Sequence, residues 1–189
     1  MERIELSIPG ACILRPRVFS DARGFFMEAY NQAALRKLGI AADFVQDNHS
    51  RSSRGTIRGL HYQLRHPQGK LCRVVVGEVL DVVVDIRRGS PAFGQWAGAV
   101  LSAENKEQVW IPPGCAHGFS VLSETAEFLY KCTDFYHPDD EYGILCTDPD
   151  LRIDWRVAAP LLSPKDAKYP ALAQADRSSL PRFDNLASG

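Results

Sequence analysis

The chain has 189 residues, which is long enough for one domain with a buried core. It is 45% hydrophobic and 24% charged with a net charge of −1, which argues against a nucleic-acid-binding protein, because such proteins normally carry a basic excess. No apolar run approaches a membrane span, no signal peptide is predicted, and the five cysteines form no CxxC pair, so we expect a cytoplasmic protein with reduced thiols.

Short β-type stretches separated by glycine and proline predict a mainly β domain, a sandwich or a barrel, rather than alternating βαβ units. The predicted strands are 12–19, 56–64, 71–86, 94–101, 108–112, 117–122 and 126–136. A short helix is predicted at 31–38, because Asn31 suits the N-cap and Gly39 can end the helix. Gly77-Glu78 predicts a hairpin turn between two valine-rich strands.

Two polar stretches lie between these elements. Residues 21–30 (DARGFFMEAY) predict a hairpin turn followed by a strand, and residues 44–52 (FVQDNHSRS) predict a polar turn. From about residue 160 the chain is rich in proline and alanine, and we expect it to pack across the barrel with short helical fragments. The whole chain, 1–189, is expected to be one domain, with 177–189 as a flexible tail.

Alternation along the strands divides the side chains between two faces. Asp81 and Asp85 fall opposite a fully apolar face, so their own face should meet water or a polar pocket. Arg58 and His61 fall on opposite faces of their strand. Lys70 heads an otherwise apolar face, an unusual position for a lysine unless its amine reaches water.

The surroundings of His61 suggest chemistry. A lone histidine is more often a core residue bonded to a backbone carbonyl, but Arg58, Lys70, Arg73 and Lys131 lie close to it in sequence or on a predicted strand. Concentrated positive charge in a cleft is what a phosphate-bearing small molecule requires. Histidine also suits proton transfer near neutrality. These residues favour a phosphate-binding cleft with an acid–base group.

Three other positions each allow two interpretations. Gln46, Asp47 and Asn48 suit either a polar turn or the recognition of a base or sugar edge. Tyr130 suits either the core or an acid whose pKa is lowered by cations such as Lys70. Asp166 suits either a helix N-terminus or a carboxylate that orients His61.

A metal site is not predicted. His61-Tyr62-Gln63 lacks the second histidine of an HxH pair, and PPGCAHGF (112–119) supplies His117 alone. A transition metal usually needs three or four nitrogen, oxygen or sulfur ligands, and neighbouring predicted strands do not provide them.

Five ordered blocks resemble the dTDP-4-dehydrorhamnose 3,5-epimerase family. They are RGFFMEAYN, FVQDNHSRSSRGTIRGLHYQ, QGKLCRVVVGEVLDVVVDIRRGSP, SAENKEQVWIPPGCAHGF and TAEFLYKCTDFYHPDDEYGI. The resemblance extends from about residue 2 to 168, nearly the whole chain. One difference is Cys115, where the family usually has an aromatic residue.

The resemblance implies a cupin-type jelly-roll barrel with a few short helices, a homodimer, and no metal or other cofactor. It implies that His61 is the general base, Tyr130 the general acid and Asp166 the partner of His61, with Lys70 beside the sugar ketone. The residues that it implies for contacts to nucleotide, diphosphate or sugar are Arg23, Glu28, Gln46, Asp47, Asn48, Arg58, His117, Glu141 and Lys165.

The implied reaction inverts C3 and C5 of dTDP-4-dehydro-6-deoxy-D-glucose through an enolate, in dTDP-L-rhamnose biosynthesis. The C4 ketone acidifies the hydrogens on both flanking carbons, which lie axial on one face of the sugar, and Lys70 would stabilise the enolate oxygen. Three alternatives stay open: an epimerase of C3 or C5 alone, a non-catalytic sugar-nucleotide-binding cupin, and a metal-dependent cupin oxygenase, which the ligand count disfavours.

Overall fold

The computed structural model describes residues 1–183. The strands and helices are β1 (Glu2–Glu5), β2 (Cys12–Arg15), β3 (Val18–Asp21), β4 (Gly24–Met27), α1 (Gln32–Lys37), β5 (Gln46–Ser53), β6 (Ile57–Gln63), β7 (Lys70–Val76), β8 (Glu78–Val84), β9 (Trp96–Ser102), β10 (Gln108–Ile111), β11 (Ala116–Val121), β12 (Thr125–Cys132), β13 (Glu141–Gly143) and the short 3-10 helices Pro138–Asp140, Asp166–Lys168, Leu172–Gln174 and Arg177–Ser179. The chain is mainly β, with helical segments before β5 and after β12.

Eleven strands form two antiparallel sheets that face each other. The six-stranded sheet has the order β1-β2-β10-β7-β12-β5, and the five-stranded sheet has the order β13-β6-β11-β8-β9. β3 and β4 form a separate hairpin outside both sheets. This arrangement confirms the predicted jelly-roll barrel.

The space between the sheets holds the inner core. Val74 and Phe128 contribute from the six-stranded sheet, and Val83, Leu101 and Phe119 from the five-stranded sheet. The rings of Phe119 and Phe128 stack with centroids 4.2 Å apart, so the two sheets are joined through their aromatic side chains. Full burial of a side chain such as Phe128 stabilises the fold by about 1.5–3 kcal/mol.

Both sheets also have a buried outer face. The predicted apolar face of β8, with Leu80 and Val82, shares a cluster of buried side chains with Leu180 of the C-terminal segment, and Leu162 and Leu172 of the same segment pack against this cluster. The expectation that this segment packs across the barrel is therefore confirmed. On the six-stranded sheet, Leu35 of α1 packs in a third cluster of buried side chains.

Helix α1 begins and ends as predicted. The side-chain oxygen of Asn31 accepts a hydrogen bond from the backbone N–H of Ala34 at 3.1 Å. Gly39 has φ +81°, a left-handed conformation that glycine adopts without steric cost and that ends many helices.

The predicted hairpin at Gly77-Glu78 is wrong. β7 lies in the six-stranded sheet and β8 in the five-stranded sheet, so the turn carries the chain from one sheet to the other. Gly77 has φ +75°, and a Cβ atom there would lie 2.0 Å from the carbonyl oxygen of Thr125. Alternation within one strand cannot distinguish a hairpin from a change of sheet.

Two strand boundaries and one predicted turn also differ from the structure. The predicted strand 12–19 is interrupted between β2 and β3, where Pro16 lacks a backbone N–H for pairing. The predicted strand 126–136 ends at Cys132. Residues 44–52 are not a turn, because most of them belong to β5. The polar residues of β5 have low β propensity, but their side chains alternate between a cavity and solvent.

The prediction that Arg58 and His61 lie on opposite faces of β6 is wrong. His61 pairs with His117, but Arg58 pairs with Phe119, so β6 contains one residue more than β11 over this interval. This β-bulge restores both side chains to the same side of the sheet. At Gly59 a Cβ atom would lie 2.6 Å from the Cα atom of Gly118, so the close approach of the strands requires glycine.

The predicted flexible tail is only partly within the described residues. Leu180 is buried, and the backbone N–H of Phe183 donates a hydrogen bond to the carbonyl oxygen of Arg88 at 3.0 Å. Residues 184–189 lie outside the described residues. Over residues 1–183, no helix combines the length and the apolar character needed to cross a membrane.

Candidate active site

A cavity of about 430 Å³ lies between the two sheets, within the size range of small-molecule sites. Both sheets and the C-terminal segment contribute to its wall. The lining residues are Gln46, Asn48, Ser50, Arg58, His61, Gln68, Lys70, His117, Phe119, Tyr130, Tyr136, Glu141, Ser163, Lys165 and Asp166. Ten of the thirteen residues proposed from the sequence thus lie around one cavity.

His61 and Asp166 form a hydrogen-bonded pair. Nε2 of His61 lies 2.6 Å from Oδ1 of Asp166, which is almost fully buried. Burial works against the charged carboxylate, but hydrogen bonding, above all to His61, outweighs it, so the pKa of Asp166 is lowered. An ionised carboxylate can only accept, so Nε2 carries the proton and Nδ1 is left as the basic nitrogen.

The free nitrogen of His61 lies near a second carboxylate. Nδ1 is 4.0 Å from Oε1 of Glu141, whose Oε2 accepts hydrogen bonds from Lys165 and, at 2.6 Å, from the hydroxyl of Tyr136. Burial opposes ionisation, but these donors outweigh it and lower the pKa of Glu141. A proton taken up by Nδ1 would therefore create an imidazolium flanked by two carboxylates.

Tyr130 approaches the cavity from the opposite sheet. Burial is the largest influence on its phenol and raises its pKa above the usual range, and Arg58 is the cation that opposes this shift. The alternative in which cations such as Lys70 lower the pKa of Tyr130 is therefore wrong, although the Lys70 amine lies 6.0 Å from the ring centroid of Tyr130. The phenol stays protonated at neutral pH and can donate a proton.

His117 lies deeper in the barrel than His61. Its Nε2 is 2.9 Å from Oδ2 of Asp81 and 3.9 Å from Sγ of Cys72. The prediction that no three ligand atoms meet around His117 is therefore wrong, because Cys72 reaches it from the opposite sheet, which local sequence does not reveal. Burial raises the pKa of Cys72 well above its usual value, so its thiol is neutral.

Polar groups that suit a nucleotide line the cavity from both sheets. The Arg58 guanidinium donates through Nε to the Ser52 hydroxyl at 3.0 Å. The side-chain amide of Gln46 donates to Oδ1 of Asn48 at 3.0 Å, and both face the cavity. One guanidinium and two amides around the same cavity can bind phosphate and a base or sugar edge.

Three residues proposed from the sequence lie outside this cavity. Asp47 faces the other side of β5 and accepts a hydrogen bond from the Lys131 amine at 2.7 Å. Arg23 lies at the tip of the β3–β4 hairpin with 90% of its side chain exposed. Glu28 follows the same hairpin and accepts a hydrogen bond from Asn31 at 3.0 Å.

Sequence reasoning missed several residues of the site. Ser50 shares its strand face with Gln46 and Asn48 and was detectable once β5 was recognised as a strand. Phe119, Gln68, Ser163 and Tyr136 carried no signal as site residues. Tyr169 was also missed: its ring meets the His61 ring edge-on with centroids 5.8 Å apart.

Comparison with known proteins identifies one set of relatives. The family model described as dTDP-4-dehydrorhamnose 3,5-epimerase matches residues 5–174. The dTDP-4-dehydrorhamnose 3,5-epimerase of Pseudomonas aeruginosa is 60% identical over 178 residues, which cover 93% of this chain and 98% of that protein. The protein of the same name from Mycobacterium tuberculosis is 40% identical over 190 residues, covering 97% and 94%.

Solved structures of related proteins share the fold. The dTDP-6-deoxy-D-glucose-3,5-epimerase of Legionella pneumophila, in complex with dTDP-4-keto-L-rhamnose, has a TM-score of 0.94 and 52% identity, covering 96% of this chain and 98% of that one. A 3'-monoepimerase of Streptomyces bikiniensis, in complex with dTDP-quinovose, has a TM-score of 0.90 and 37% identity, covering 96% and 93%.

Proposed function

Because this chain belongs to the dTDP-4-dehydrorhamnose 3,5-epimerase family, we propose that it is an isomerase that inverts C3 and C5 of dTDP-4-dehydro-6-deoxy-D-glucose. The product is dTDP-4-dehydro-L-rhamnose, and the reaction belongs to dTDP-L-rhamnose biosynthesis. The observation that carries the proposal is the His61–Asp166 pair on one wall of a cavity whose opposite wall presents a protonated Tyr130.

The residues divide the reaction into two proton transfers. His61 takes the C3 or C5 proton on Nδ1, and the electrons of the C–H bond move to the ketone oxygen at C4. The Lys70 ammonium stabilises the resulting enolate. Tyr130 then protonates the same carbon from the opposite face, which inverts it. His61 then loses its extra proton to solvent and Tyr130 regains one from solvent, so both groups are ready before the second carbon reacts.

Deuterium incorporation tests this function. The protein is incubated with dTDP-4-dehydro-6-deoxy-D-glucose in deuterated water containing a chelator, and the product is analysed by NMR. Deuterium at both C3 and C5 of an inverted sugar supports the proposal. Turnover in the presence of the chelator would show that the reaction needs no free divalent metal ion. Absence of exchange at both carbons would contradict it and favour a binding protein.

A single-centre epimerase is the second candidate. It is favoured by the similarity to the Streptomyces bikiniensis 3'-monoepimerase. The same acid–base groups serve either reaction, so the number of inverted carbons depends on how the cavity lets the sugar turn between the two steps. In the deuterium experiment this candidate predicts label and inversion at one carbon only.

A homodimer would account for two of the three residues outside the cavity, Arg23 and Glu28. The β3–β4 hairpin exposes Phe19, Phe25 and Phe26, with Phe26 71% exposed, and its tip carries Arg23. Exposed aromatic side chains on a projecting hairpin are typical of an interface. We propose that a second copy covers this hairpin and that Arg23 and Glu28 reach the partner's cavity. The five free cysteines support a cytoplasmic location.

Replacing Phe26 by aspartate should separate the proposed dimer, because a carboxylate would have to be buried in an apolar contact. Light scattering after size-exclusion chromatography should give the mass of two chains for the wild type and of one for Phe26→Asp. A variant that remains dimeric would contradict this interface. Phe93→Asp, at another exposed phenylalanine, is the matched control.

Replacing Arg58 by alanine should weaken dTDP binding. A charge-assisted contact to phosphate contributes about 1.5–3 kcal/mol, so the affinity should fall by roughly 10- to 150-fold. Isothermal titration calorimetry with dTDP measures the effect. Arg51→Ala is the control, since Arg51 lies on β5 outside the cavity. An unchanged affinity in folded Arg58→Ala would remove Arg58 from the site.

A further inference from the structure

A second cluster of ligand-type side chains lies on two loops, one after β6 and one after β12. It consists of His66, Asp134 and His137, whose ligand atoms all lie within 4.8 Å of one another. Nδ1 of His66 is 3.6 Å from Oδ2 of Asp134, and the two imidazole rings stack with centroids 3.8 Å apart. None of the three residues lines the cavity of the proposed active site.

The backbone beneath this cluster is fixed by a buried amide. The Gln63 side chain donates to the carbonyl oxygens of His66 at 2.7 Å and Phe135 at 3.1 Å, and accepts from the backbone N–H of His137 at 2.8 Å. One side chain thus ties both loops together. Because Gln63 is only 4% exposed, the hydrogen bonds that fix the two loops relative to each other are shielded from solvent.

The carboxylate of Asp134 is oriented in the same way. Its Oδ1 accepts a hydrogen bond from the backbone N–H of Phe135 at 2.7 Å, which leaves Oδ2 directed towards His66. The amide of Gln68 donates to the carbonyl oxygen of Asp134 at 2.9 Å. Hydrogen bonds that orient the ligand-bearing residues in this way are typical of metal sites.

We propose that His66, Asp134 and His137 bind a divalent transition-metal ion of the zinc class at the surface of the barrel. Two imidazole nitrogens and one carboxylate oxygen form a ligand set that zinc commonly adopts, with water in the fourth position. The two rings leave their stacked arrangement so that one nitrogen of each points at the ion. Magnesium prefers oxygen ligands and should not bind.

The site is separate from the proposed reaction and does not rest on it. The metal-free protein should remain active, and the ion should act as a link between the two loops. Because the ion binds only where both loops are folded, it should raise the unfolding temperature, and the rise should continue with the logarithm of the free Zn²⁺ concentration above the dissociation constant.

Calorimetric titration of Zn²⁺ into tag-free, metal-free protein tests the proposal. One ion should bind per chain in the wild type, and His66→Gln and His137→Gln should each weaken binding by roughly tenfold or more. His49→Gln is the matched control, since His49 is an exposed histidine that also lies beside a carboxylate, at 3.1 Å. It should bind Zn²⁺ as the wild-type chain does, and Mg²⁺ should give no binding heat.

The buried group of Cys72, Asp81 and His117 is the competing location within residues 1–183. Cys72→Ser distinguishes the two. Loss of Zn²⁺ binding in Cys72→Ser with retention in His66→Gln and His137→Gln would overturn the proposal. So would a wild-type chain that binds no Zn²⁺. Circular dichroism and the unfolding temperature without metal establish that each variant is folded.

Discussion

Replacing His61 by asparagine should abolish both product formation and deuterium exchange at C3 and C5. His61 is the base whose free Nδ1 faces the cavity while Nε2 is held by Asp166 at 2.6 Å. Asparagine keeps a polar group but cannot take up the proton, so no enolate forms. A general base contributes about 10²–10⁴-fold, and the turnover rate should fall by that factor.

Turnover and exchange are measured by NMR in deuterated water, with dTDP affinity as a second measurement. The affinity should be nearly unchanged, because His61 acts on the sugar. His49→Asn is the control for a histidine beside a carboxylate outside the cavity and should retain full activity. Exchange at wild-type rate in His61→Asn would show that another group removes the proton.

Replacing Tyr130 by phenylalanine should separate exchange from inversion. The substitution keeps the ring and its packing near Phe128 but removes the phenolic proton. The enolate still forms, and protonated His61, after exchange with solvent, returns a deuteron to the original face. The recovered substrate should therefore carry deuterium while the yield of inverted sugar falls by about 10²–10⁴-fold.

Tyr142→Phe is the matched control, because the Tyr142 ring stacks on Tyr62 in the cluster on the outer face of the five-stranded sheet. It should invert the sugar at the wild-type rate. Inversion of both centres by Tyr130→Phe at a comparable rate would identify water or another side chain as the acid. Loss of exchange together with inversion would place Tyr130 in the first proton transfer instead.

Several features of the fold followed from local sequence. The helix at 31–38 was predicted because an N-cap and a terminal glycine act within a few residues of the helix that they bound. The apolar face of β8 was predicted because side chains alternate along a strand, although the opposite face proved to be buried as well. Helix capping and side-chain alternation depend only on neighbouring residues, so both can be predicted without knowing the rest of the fold.

The grouping of His61, Lys70 and Tyr130 came from the sequence in a different way. Their residue types suggested acid–base chemistry, but each alone suited a core position equally well. The resemblance of five ordered blocks to the epimerase family assigned them to one site. In the structure all three residues line the same cavity.

Only the tertiary structure decided the faces of β6 and the partner of β7. The bulge near Gly59 places Arg58 on the same side of the sheet as His61, against strict alternation, because β6 has one extra residue where it pairs with β11. The turn at Gly77 leads to the other sheet, since β7 finds its partners in β10 and β12. Pairing between distant strands is set by the packing of both sheets around the inner core.

The sequence by itself thus determined the helix at 31–38, the mainly β character, the residue types of the acid–base groups and the family resemblance. The tertiary structure decided which nitrogen of His61 is basic, why Tyr130 stays protonated and which ligand-type residues meet. Asp166 reaches His61 across 105 positions, and Tyr130 is buried by residues of other strands. Hydrogen bonds and burial of this kind depend on contacts between distant segments, which arise only when the chain has folded.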